Sequence, residues 1–140
     1  MLIYTFRTNP FKNKLLEKFP NLFIFGKLKE DFNKLSESII NNNPDYILGI
    51  ASSNNSRFEP VAINKFKKTK KISIQGQKQY DLFIPQSNIK KSFSPTDSFC
   101  NWTMYKIAEF IEKNKLSTKL IFAHLEQNDL PNLIRTLNFK

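Results

Sequence analysis

A chain of 140 residues, 40% hydrophobic and 24% charged, suffices for one globular domain over residues 1–140 and is short for two. Its single cysteine excludes an internal disulfide framework and fits a reducing, cytoplasmic compartment; one Cys and one His leave no soft-ligand metal cluster to propose, so neither metal nor cofactor is expected. The net charge of +10 raises nucleic acid as a partner, yet lysine is spread along the chain and dense only at Lys65–Lys71, without zinc-finger spacing or an RNA-binding motif, so nucleic-acid binding is not the expected function.

The opening Met1–Phe6 has no basic flank and no small-residue cleavage site, and reads as a first strand and not a signal peptide. No apolar run approaches the roughly 18 residues of a membrane span. Leu22–Phe25, closed by Gly26, suits a short buried strand. From Lys29 to Ile40 the residues Phe32, Leu35, Ile39 and Ile40 recur at helical spacing, and Asn41-Asn42-Asn43-Pro44 should stop that helix. Asp45–Ala51 reads as a second buried strand, Ser52–Arg57 as a polar loop, and Phe58–Asn64 as strand-like.

Between Lys65 and Ser98 the pattern is weaker. Lys71–Ile74 and Tyr80–Ile84 suit short strands with Gly76 in the turn between them. Met104, Ile107, Ala108 and Ile111 then form one apolar stripe, which predicts a helix over Asn101–Lys113. Lys119–His124 suits a buried strand and Leu130–Leu137 a final helix. Strands alternating with helices argue for a single-domain α/β fold with a largely parallel sheet flanked by helices.

In such a fold the helices run antiparallel to the strands. Cys100, at the start of its helix, and His124, at the carboxyl end of the following strand, should therefore meet at the edge where open α/β sheets bind ligands. Helix N-terminal N–H groups and a nearby imidazole favour a thiolate, and the same N–H groups suit an oxyanion. The alternative is that Cys100 is a small buried hydrophobe and His124 a hydrogen-bonded strand end. Spacing alone leaves the two readings level.

The segment Ser94-Pro95-Thr96-Asp97-Ser98-Phe99-Cys100-Asn101-Trp102-Thr103-Met104-Tyr105 resembles the nucleophile segment of the pyroglutamyl peptidases, with Cys100-Asn101, Met104 and Tyr105 in register. Phe122-Ala123-His124 resembles the strand carrying that family's catalytic histidine. Phe58-Glu59-Pro60-Val61-Ala62-Ile63-Asn64 resembles its glutamate segment, with Pro44-Asp45 and Gly49-Ile50-Ala51 matching the approach to it. The resemblance implies a shortened, divergent pyroglutamyl peptidase with a phosphorylase/hydrolase-like fold. It implies removal of an N-terminal pyroglutamyl residue from peptides, with Cys100 as nucleophile, His124 as acid and base, and Glu59 orienting the imidazole.

The same comparison marks departures. Between Pro85 and Ser94 there is no room for the helix that precedes the family's nucleophile strand. The apolar face this exposes would be covered by a partner, a second copy in a homo-oligomer being one candidate, or removed by a remodelled edge. Thr96 replaces a family glycine, whose use would be a positive-φ turn or close backbone approach. The family's arginine beyond the glutamate segment has no counterpart, leaving Lys68 and Lys70 as charge or oxyanion candidates. Phe6, Phe11 and Phe99 are the ring-binding candidates, and serve equally well as core. Two alternatives stand beside the peptidase: a triad-bearing hydrolase of another small amide or lactam, and a non-catalytic binding or assembly protein on the same fold.

Overall fold

The computed structural model describes residues 1–138. Its centre is a six-stranded sheet in the order β2-β1-β3-β8-β4-β7. The strands are β1 (Leu2–Phe6), β2 (Phe23–Phe25), β3 (Tyr46–Ser52), β4 (Arg57–Phe58), β7 (Lys90–Lys91) and β8 (Lys119–Leu125). β2, β1, β3 and β8 run parallel; β4 lies antiparallel to β8, and β7 parallel to β4. A separate antiparallel pair joins β5 (Val61–Ile63) to β6 (Gln79–Asp81).

The period of two along each strand sorts side chains into two cores. From β3, Ile47 and Ala51 face one side while Leu48 and Ile50 face the other; from β8, Leu120 and Phe122 oppose Ile121, Ala123 and Leu125. The first side is covered by α2 (Leu28–Asn42), through Leu35 and Ile39, and by α3 (Phe99–Lys113), through Met104, Ile107 and Ala108. The second is covered by α1 (Lys12–Lys18), through Leu15, and α4 (Leu130–Leu137), through Leu130 and Leu133. The result is a single α/β domain with a mostly parallel sheet between two helical layers. At its centre Gly49 is required by close packing: a Cβ there would lie 2.5 Å from both the Phe122 ring and the Tyr4 ring.

The predicted helices and long strands form, with shifted ends. The first helix in the chain, α1, was not predicted, although Phe11, Leu15 and Phe19 recur at intervals of four. α2 extends to Asn42 and ends on Asn43, whose left-handed φ of 42° returns its N–H to Ile39 O at 2.8 Å. Ile40 lies off the buried stripe and is half exposed.

Two strand expectations are corrected. Phe58–Asn64 is not one strand: it breaks at Glu59-Pro60, where proline offers no N–H to the ladder, and continues as β5 against α3. Lys71–Ile74 forms no strand. Asn64 captures it instead, its Oδ1 accepting from Ile72 N (2.7 Å) and Ser73 N (2.9 Å), which leaves Ile74 exposed. Gly76 does sit in the following turn, its N–H on Ser73 O. The stretch between Pro85 and Ser94 contains the short edge strand β7 and no helix, and Phe93 within it is fully exposed.

Candidate active site

The start of α3 is held by hydrogen bonds that its sequence supplies. Ser98 is the N-cap, its Oγ accepting from Cys100 N at 3.2 Å, and Thr96 Oγ1 donates to Ser98 Oγ at 3.0 Å. Thr96 takes a negative φ, so this position makes no use of glycine's conformational freedom. Asn101, fully buried, clamps the helix to β5: its Oδ1 accepts from Ile63 N (2.9 Å), and its Nδ2 donates to Ile63 O (2.8 Å) and Lys65 O (2.9 Å). Thr103 Oγ1 donates to Cys100 O at 2.8 Å and meets Tyr4 Oη from β1 at 3.0 Å.

Glu59, just past the end of β4, and His124 of β8 meet on the sheet face that this helix covers. The register pairs Arg57 with His124 across β4 and β8, so both side chains leave the same face of the sheet, and Glu59, two residues beyond Arg57, joins them. His124 Nδ1 lies 2.8 Å from Glu59 Oε2; both residues are buried. No hydrogen bond is formed at His124 Nε2 among the described residues. Arg57 Nε lies 3.3 Å from the same Oε2, and its Nη1 donates to Ser53 Oγ (2.7 Å) and Asn55 O (3.1 Å).

Cys100 lies on this face, 4% exposed, in the core shared with Phe122. Burial pushes its thiol up to about 12; the Glu59 carboxylate adds to that, while the Ser98 hydroxyl and Arg57 pull it down. The sequence led us to expect that the helix N-terminus would favour a thiolate; desolvation outweighs it here. Among the described residues Cys100 and His124 are not hydrogen-bonded to one another. A thiol that burial keeps protonated can react only after it gives up its proton, so it suits base-assisted attack and not a standing ion pair.

Phe6 and Phe99, the residue before Cys100, stack edge to face, 4.8 Å between centroids, and with Arg7, Thr8, Phe25, Gly26 and Leu28 line a cavity of about 220 Å³. Phe11 is not with them: it packs against the opposite side of the sheet, in the core that contains Leu15. Lys68 and Lys70 are exposed in a hairpin closed by a Phe66–Lys70 bridge, with Lys67 and Lys68 at positive φ. That hairpin is tied to the segment before Cys100 through backbone groups, Lys68 N donating to Asp97 Oδ2 at 3.0 Å. The cation touching the buried acid is Arg57, which the sequence reading left in a polar loop. The signal for it was present: a strand places residues i and i+2 on one face, and Arg57 is i to Glu59.

The fold resembles those of known structures. Pyroglutamyl peptidase I from Bacillus amyloliquefaciens matches with a TM-score of 0.70 at 18% identity, over 97% of this chain and 90% of that one. This is the fold of the pyroglutamyl peptidases. The pyrrolidone carboxyl peptidase of Fervidobacterium islandicum matches at 0.68 and 21% identity, over 89% of this chain and 79% of that one. That of Thermococcus litoralis matches at 0.68 and 16%, over 89% and 75%. No protein-family model and no curated protein sequence matches the chain. Among the described residues no helix is long and apolar enough to cross a membrane, and no cluster of His, Cys, Asp and Glu could hold a metal ion.

Proposed function

We propose that the protein is a cysteine peptidase that removes an N-terminal pyroglutamyl residue from peptides. The observation that carries this is the buried His124–Glu59 hydrogen bond of 2.8 Å on the sheet face that Cys100 also occupies. In a fold shared with pyroglutamyl peptidases, a carboxylate on Nδ1 fixes the imidazole tautomer and leaves Nε2 to exchange protons.

In the first step the Cys100 S–H proton passes to His124 Nε2 and the sulfur attacks the pyroglutamyl carbonyl carbon. The resulting oxyanion needs donors; Cys100 N–H is one candidate and would exchange its bond to Ser98 Oγ for the new oxygen. Collapse breaks the C–N bond, and the proton on His124 leaves with the amine. Water then gives a proton to His124 and its oxygen to the thioester carbonyl, releasing pyroglutamate and restoring the thiol. The cavity bounded by Phe6, Phe25 and Phe99 is the candidate seat for the lactam ring.

The burial of Cys100, 4% exposed, favours a second reading: a relative that keeps the residues but not the reaction. The two separate by incubating a peptide with N-terminal pyroglutamate and following products by mass spectrometry. Release of pyroglutamate supports the peptidase; an intact peptide with the parent chain folded rejects it.

A further inference from the structure

Glu59 is an unusual carboxylate to find at 1% exposure. Its Oε1 is sealed from solvent without a hydrogen-bond partner among the described residues, while Oε2 is shared between His124 Nδ1 (2.8 Å) and Arg57 Nε (3.3 Å). A buried carboxylate requires a compensating charge. If none were supplied, the unbalanced negative charge would also bear on the thiol and hold its proton more tightly. The groups facing this cluster come from every element packed around it: Tyr4 of β1, Arg57 and Glu59 of β4 and its end, Cys100 of α3, and His124 of β8. Of these, Arg57 is the permanent cation.

We propose that Arg57 is a positioning residue for the site: its guanidinium, braced on Ser53 Oγ and Asn55 O, balances Glu59 so that Glu59 can orient His124 without its negative charge bearing on the Cys100 thiol. This rests on the Cys100–His124–Glu59 reading above. Sequence supports the assignment in that the bracing loop, β4 register and acid all lie within Ser53–Glu59, so one short segment builds acid, counter-ion and support. The same charge also acts on the thiol, drawing its proton affinity down against burial and Glu59. Lysine at this position would keep the charge and lose the fork that grips Ser53, Asn55 and Glu59 together.

The test reads the thiol directly and needs no substrate. Alkylation of Cys100 by iodoacetamide is followed against pH by mass spectrometry for the parent, Arg57→Gln, Arg57→Ala and Arg57→Lys, with urea midpoints confirming folding. Removing the charge should displace the rate profile of Arg57→Gln and Arg57→Ala to higher pH, and Arg57→Lys should return most of the way. With a pyroglutamyl amide, kcat should fall on the order of 10²-fold in Arg57→Gln with KM little changed. A profile that stays in place in a folded Arg57→Gln or Arg57→Ala overturns the proposal, as does Arg57→Lys behaving like Arg57→Gln. Should Arg57→Ala not fold, the near-isosteric Arg57→Gln decides. If the parent cleaves no pyroglutamyl substrate while the profiles still move, the peptidase reading fails and the role of Arg57 in the cluster stands.

Discussion

Replacing Asn101 by alanine tests how α3, and with it Cys100, is held in place. The side chain is fully buried and makes three hydrogen bonds to the backbone of β5 and Lys65. Each is worth about 1 kcal/mol net, and an unsatisfied group left behind costs roughly 1–3 kcal/mol. Ile63 N–H and the two carbonyls are only partly sealed, so water recovers some of that loss. The expected cost is about 3 kcal/mol, or a fall in Tm of roughly 10 °C for a domain of this size. Urea denaturation should show a lower midpoint at unchanged slope. Asn101→Asp makes a sharper comparison. It keeps the acceptor for Ile63 N but turns a carboxylate toward Ile63 O and Lys65 O, so it should cost at least as much as alanine. A loss below about 1 kcal/mol for Asn101→Ala, or an Asp variant more stable than the Ala variant, would refute the clamp.

Three further outcomes follow from the same structure. Glu59→Gln preserves shape but loses the charge held 2.8 Å from His124 Nδ1, and should fold normally while kcat drops by roughly 10²–10⁴-fold; equal turnover would remove Glu59 from the proposed reaction. Gly49→Ala forces a Cβ to 2.5 Å from Phe122 and Tyr4 and should cost about 1–3 kcal/mol by thermal unfolding, whereas a neutral result would show that these rings move aside freely. Cys100 and Tyr4 both hold their protons more tightly folded than unfolded, the thiol rising from 9.0 to about 12. Above pH 9 the unfolded chain therefore binds fewer protons than the native one, and stability should fall as pH rises from about 9 toward 12. The slope should be shallower in Cys100→Ala; an identical slope would show the thiol to be more exposed than described.

The long elements were readable because their burial is simple. β3 and β8 are sealed on both faces and read as unbroken apolar runs, and the stripe from Met104 to Ile111 has the period of a helix resting on a sheet. The middle of the chain was not readable in the same way. Its conformation is set by single polar side chains, Asn64 folding the turn at Ile72–Ser73 and Asp97 pinning the Lys67–Lys68 hairpin, and hydrophobic periodicity is blind to such contacts.

At the site, Glu59 and His124 were legible from the resemblance, and strand order then explains why residues so distant in sequence touch. Arg57 was missed because β4 has only two residues, Arg57 itself and a single apolar one, Phe58. Phe11 was grouped with Phe6 as a ring-binding candidate, yet the turn through Asn9, whose Oδ1 accepts from Phe11 N and whose Nδ2 donates to Thr5 Oγ1, carries Phe11 to the other side of the sheet.

The most direct test of the account is hydrolysis of a fluorogenic pyroglutamyl amide by the parent chain and by Cys100→Ala, under reducing conditions near neutral pH. The account predicts fluorophore release by the parent and none by the variant. Equal, near-zero rates from two folded proteins would contradict it.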